Sequence, residues 1–193
     1  MSASLSDRSL AAAALPGAGA ARLAAQAGLV IAGSLLIAAA AHVKVPFWPV
    51  PMTLQTLAIF AIAAAYGRNL AVATLLAYLA QGAVGMPVFT GGAGAAYMAG
   101  PTGGYLAGFL VAAAMIGAAA DRGWTARPVA LFGAMLAGEA VILALGAAWL
   151  AVLFGAEKAL AFGVGPFIVA DVVKAALAAA LVPALGALLA RFR

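Results

Sequence analysis

The chain has 193 residues, of which 67% are hydrophobic and only 8% charged, with a mean hydropathy of +1.16. Soluble domains carry about 25% charged residues, so this composition excludes a soluble domain and describes an integral membrane protein. Cysteine is absent and the net charge of +5 sits on scattered single residues, which excludes disulfides, thiolate metal sites and a nucleic-acid-binding patch.

Residues 1–21 hold Pro16, Gly17 and Gly19 among small side chains and are expected to form a flexible N-terminal arm, disordered or lying on the surface. Residues 22–193 read as one all-α domain, a bundle of six transmembrane helices at about 22–42, 53–66, 70–86, 103–120, 129–154 and 166–190. Arg8 and Arg22 before the first apolar run resemble a signal peptide, but no cleavage site follows, so the run is expected to be retained. Within it Ser34 and Ala38 are four apart, as are Gly28 and Ala32, a small-residue stripe suited to helix contact.

His42 and Lys44 close that helix. The next segment, Val45-Pro46-Phe47-Trp48-Pro49-Val50-Pro51-Met52, has too many prolines to be helical and is expected to run extended. Phe47 and Trp48 either join the interfacial aromatic belt or cover a ligand. Thr53 is placed to cap the second helix, with Gln55 in its first turn. The third helix carries Tyr78 and Gln81 and ends at Gly85 and Pro87.

The stretch from Gly85 to Phe109 is crowded with helix breakers inside an otherwise lipid-soluble sequence. Irregular backbone at membrane depth is tolerated where it lines a cavity, so this loop is expected to form part of a binding site. Gly100, Gly104 and Gly108 recur every four residues and are expected to stack on one helix face, allowing a close neighbour. The fifth helix carries Glu139, and the sixth carries Asp171 and Lys174.

Six spans put both termini on one side. Seven arginines fall there, at positions 8, 22, 68, 122, 127, 191 and 193, against Lys44 and Lys158 on the other side. The positive-inside rule then makes both termini cytoplasmic, in a multi-pass protein surrounded by membrane lipid. The proline segment, the glycine loop and the 155–166 turn share the external face as non-helical loops capping a ligand cavity.

Ionisable residues inside spans are functional candidates. Asp171 and Lys174 share a helix face at a spacing of three. They form either a self-neutralising packing pair or a site for a polar or anionic ligand. Glu139 is either a ligand residue or an interhelical hydrogen-bonding residue. An enzyme is hard to build here: one histidine, no cysteine and no GxxxxGK[ST] run leave no catalytic residues, no metal cluster and no ATPase motif.

Three segments carry a resemblance: Val45 through Leu57 (VPFWPVPMTLQTL), Gly85-Met86-Pro87-Val88-Phe89 with Gly91-Gly92, and Gly100-Pro101-Thr102-Gly103-Gly104-Tyr105 with Gly108-Phe109. Together they resemble the BioY family, the substrate-binding S component of energy-coupling-factor (ECF) biotin transporters. The resemblance implies high-affinity biotin uptake across the bacterial cytoplasmic membrane, with biotin as substrate and no cofactor. It also implies a transmembrane coupling (T) subunit and two cytoplasmic ATPase subunits as partners. Substrate-binding candidates are then Asp171, Lys174, Phe47, Trp48, Thr90, Tyr97 and Tyr105, and the Ser34/Ala38 face of the first helix is the expected T-subunit contact. The competing reading is a stand-alone ion-coupled carrier for a small anionic solute.

Overall fold

A computed structural model describes residues 9–15, 17–46 and 48–191. In lipid, backbone polar groups are satisfied within the segment, which favours helix over most of this sequence. The described residues form α1 (Leu10–Ala14), α2 (Gly19–His42), β1 (Lys44–Val45), β2 (Met52–Thr53), α3 (Gln55–Tyr66), α4 (Arg68–Ala83), α5 (Gly94–Met98), α6 (Gly103–Asp121), α7 (Pro128–Phe154), α8 (Ala156–Gly163) and α9 (Ile168–Ala190).

The expectation of six spans is met in part. Each predicted span contains a long helix, but nine α-helices occur among the described residues, three of them short. Two of these lie where non-helical loops were expected. α5 falls in the glycine loop and α8 in the 155–166 connection, introduced by Gly94 at φ +84° and Gly155 at φ +88°. Those angles are readily adopted only by glycine, so the breakers read in the sequence act as hinges between helices. The third, α1, lies in the expected flexible arm. Ser9 before it is buried and donates to the Tyr66 carbonyl at 3.2 Å. Residues 1–8 of that arm lie outside the described residues, and α2 begins at Gly19.

Among the described residues four helices are long and apolar enough to cross a membrane: α2, α6, α7 and, over Ile168–Leu188, α9. α3 has 12 residues and α4 has 16, or about 18 and 24 Å, short of the ~30 Å hydrocarbon core. The space they leave at one end of the bundle is filled by the segment between β1 and β2 and by the glycine loop. β1 and β2 pair antiparallel, Lys44 opposite Thr53 and Val45 opposite Met52, so the proline segment is a closed loop rather than an extended strap. Thr53 accepts the Gln55 N–H at 3.2 Å and so caps α3 from two positions before its first residue. At the opposite end Asp121 of α6 accepts the first amide of α4, Arg68 N–H, at 2.9 Å.

Glycines set how closely the helices approach. A Cβ at Gly104 would strike the Leu145 carbonyl oxygen, and one at Gly108 would sit 2.7 Å from Ile142 Cα, so α6 lies flush on α7. Gly117 meets the Arg68 backbone of α4 in the same way. Gly100 does not belong to this stripe. It precedes α6, and its carbonyl accepts the Trp149 indole N–H at 2.8 Å.

Ser34 and Ala38 are also corrected. Both are buried within the bundle, and Gln81 of α4 donates to the Ser34 hydroxyl at 3.0 Å. This face of α2 packs inside its own chain and is not free for a partner. Gly28 and Ala32, the other pair of the stripe, face outward.

Replacing Gly108 with leucine forces a branched side chain into the α6–α7 contact, at about 1–3 kcal/mol. The apparent melting temperature in detergent is expected to fall by several degrees. Gly28→Leu, where a Cβ meets nothing within 4 Å, should leave it unchanged. Equal melting temperatures for the two variants would refute the close contact.

Candidate functional site

The polar residues of the bundle converge on one cavity between α3, α4, α6, α7 and α9, roofed by Val50, Pro51, Thr90 and Tyr97 from the two loops. Its volume is about 50 Å³. On its floor the Lys174 ammonium lies 2.7 Å from Asp171 Oδ1, one turn apart on α9 and both buried. The same oxygen accepts the Thr56 hydroxyl of α3 at 2.8 Å. Pairing is required here, because an isolated charge in an apolar interior is strongly disfavoured. This arrangement uses one carboxylate oxygen and one ammonium hydrogen, so the remaining groups can meet a solute.

Glu139 of α7 lines the same cavity, and neither of its oxygens has a hydrogen-bond partner among the described residues. The Asp171 carboxyl of α9 is within hydrogen-bonding reach of Glu139, so the interhelical hydrogen bond expected as one option for Glu139 requires a proton shared between the two.

One wall is aromatic. Tyr97 stacks on Phe89 with centroids 4.9 Å apart and planes at 16°, and Phe89 meets Tyr78 edge-on at 5.4 Å. Two glycines make room for this ladder: a Cβ on Gly82 would overlap the Phe89 ring, and one on Gly92 would lie 2.7 Å from Tyr97. The Tyr78 hydroxyl accepts from Gln55 at 2.9 Å and donates to the Val88 carbonyl at 3.1 Å, tying α3 and α4 to the glycine loop. The opposite wall is Tyr105 with Phe167, and the Tyr105 hydroxyl donates to the Gly163 carbonyl of α8 at 2.6 Å. Across the roof the Lys44 ammonium donates to the Thr90 carbonyl at 2.8 Å.

Of the residues singled out from sequence, Asp171, Lys174, Thr90, Tyr97 and Tyr105 all line this cavity. Trp48 does not: it is 67% exposed and packs its ring against Phe154 and Phe162, joining the proline segment to α7 and α8. Phe47 lies outside the described residues. Sequence reasoning missed Thr56 as the partner of Asp171 and Tyr78 as the hub of the loop contacts. Thr53, Gln55 and Thr56, three polar residues at the start of an otherwise apolar helix, were the available sign.

The sequence profile of the BioY family matches residues 10–191. The chain belongs to the BioY family. Similar BioY proteins include a probable biotin transporter of Pyrococcus horikoshii, 39% identical over 144 residues that cover 74% of this chain and 85% of that one. A biotin transporter of Thermotoga maritima is 36% identical over 146 residues, covering 75% and 85% respectively. The crystal structure of an S-component for biotin from an ECF-type ABC transporter superposes with a TM-score of 0.78 at 24% identity, covering 88% of this chain and 94% of that one. At that identity the likeness establishes a shared fold.

Removing one member of the buried pair leaves the other unpartnered, so Lys174→Met should destabilise the protein by about 3–5 kcal/mol. Adding Asp171→Asn should restore much of that loss. A single variant as stable as the parent in thermal unfolding would show that the pair is not held in an apolar environment.

Proposed function

We propose that this BioY-family chain is the S component of an ECF-type transporter and binds biotin in the cavity between α3, α4, α6, α7 and α9. The observation that carries the reading is the Asp171–Lys174–Thr56 constellation, buried yet facing that cavity. Biotin combines a cyclic urea, a thioether ring and a carboxylate tail. A carboxylate suits a ureido N–H and an ammonium suits the ureido carbonyl, while Tyr97, Phe89 and Tyr105 offer an apolar enclosure for the ring. Thr90 belongs to the glycine loop that covers the site.

The chain is a transport subunit and not an enzyme, so ATP hydrolysis falls to two cytoplasmic partner subunits joined through a T subunit. The outward Gly28/Ala32 side of α2 is the face offered to that subunit, in place of Ser34 and Ala38. Binding of labelled biotin to the purified chain alone in detergent tests the central reading. The parent should bind saturably, and Asp171→Asn with Lys174→Met should remain folded while losing affinity by several orders of magnitude. A double variant with near-native affinity would reduce the pair to a packing device.

The cavity end faces outward in this reading, and both termini are cytoplasmic. Lys158 of α8 and Arg127 before α7 are both exposed. Cysteine at position 158 should react with an impermeant thiol reagent in intact cells, and cysteine at 127 only after permeabilisation. The reverse pattern would invert the topology.

A further inference from the structure

Among the described residues three buried side-chain oxygens or nitrogens have no hydrogen-bond partner, and two of them are Oε1 and Oε2 of Glu139. The residue is 5% exposed, in the wall of the cavity, where an unsatisfied carboxyl is unfavourable by at least the desolvation of each oxygen. The neighbouring elements direct their recorded donors elsewhere. Thr56 of α3 donates to Asp171, Gln55 to Tyr78, Tyr105 of α6 to the Gly163 carbonyl, and Lys174 of α9 to Asp171. The Asp171 carboxyl is within hydrogen-bonding reach of Glu139, so the two are paired only through a shared proton, and each keeps an acceptor for a solute. The cavity therefore presents two carboxyl acceptors next to one ammonium donor. Its complement is a solute edge with two N–H groups and one carbonyl oxygen, which is the hydrogen-bonding edge of a cyclic urea.

We infer that Glu139 is a substrate-binding residue that accepts one ureido N–H of biotin, leaving the other to Asp171. The assignment rests on the biotin reading above and makes Glu139 the residue that selects for a second N–H donor. A site built to pair a donor discriminates strongly against an analogue lacking it, because its own polar group is then left unpaired.

The test uses biotin and its two cyclic-carbamate analogues, in each of which one ureido N–H is replaced by oxygen with little change in shape. Affinities are measured for the full-length parent, Glu139→Leu and Glu139→Gln. The parent is expected to bind one carbamate about 10- to 100-fold more weakly than biotin. Glu139→Leu should bind biotin more weakly by a similar factor and lose most of its discrimination against that same analogue. Glu139→Gln, whose amide carbonyl still accepts, should fall between, and it carries the comparison if the leucine variant does not fold. Discrimination unchanged in both variants would overturn the assignment. That result would leave Glu139 satisfied by a proton shared with Asp171, with biotin binding itself intact. Absence of saturable biotin binding by the parent would overturn the biotin reading and this assignment with it.

Discussion

Charge inside an apolar bundle has to be neutralised where it stands, and in this protein that requirement falls on Asp171 and Lys174 of α9. Their 2.7 Å pairing is completed by Thr56, so α3 and α9 are held in register by a hydrogen bond spanning 115 positions of sequence. The remaining cavity is arranged around this point. α6 and α7 supply Tyr105 and Glu139 from the flanks, and α4 supplies Tyr78, which in turn anchors the glycine loop. Breaking the pair would disturb the floor from which the other walls are measured.

Glycine performs the corresponding task for shape. Lipid tails are as apolar as leucine, so helices gain nothing from hiding hydrophobic surface from one another and depend on close contact instead. Gly104 and Gly108 bring α6 onto α7, and Gly117 brings it onto α4. The same residue type, at Gly82 and Gly92, admits the ring of Phe89 between Tyr78 and Tyr97. Tight helix packing and an aromatic wall thus come from one economy of side-chain volume.

Much of this was legible in the sequence wherever a polar or helix-breaking residue stood out against the apolar background. Asp171 and Lys174 announced a shared face by their spacing, and the Gly85–Phe109 stretch announced irregular backbone at membrane depth. Orientation was harder to read. α2 carries small and large apolar residues all round, so nothing local distinguishes the inward Ser34/Ala38 side from the outward Gly28/Ala32 side; contacts with other helices decide it, among them Gln81 of α4 on Ser34 and Tyr66 of α3 on the Leu29 carbonyl. Trp48 suited a ligand cover and a lipid-facing anchor equally by composition, and its contacts with Phe154 and Phe162 depend on where α8 folds back. Thr56 became part of the site through a residue far away in the chain. Short helices such as α5 and α8 were hidden because the glycines that introduce them read as breakers.

The roof contacts have a kinetic consequence. About 50 Å³ accommodates a water molecule or two, whereas ligand pockets commonly measure ~300–1,000 Å³. On the proposed reading a vitamin-sized solute needs a wider form of the cavity than this one, in which the Lys44–Thr90 bond spans the roof. Its association rate then levels off at high solute concentration, at the frequency with which the wider form appears. The apparent dissociation constant is the intrinsic one divided by the fraction in that wider form, so affinity falls with it. Lys44, outside the cavity lining, thereby joins the residues that set how quickly a solute is captured.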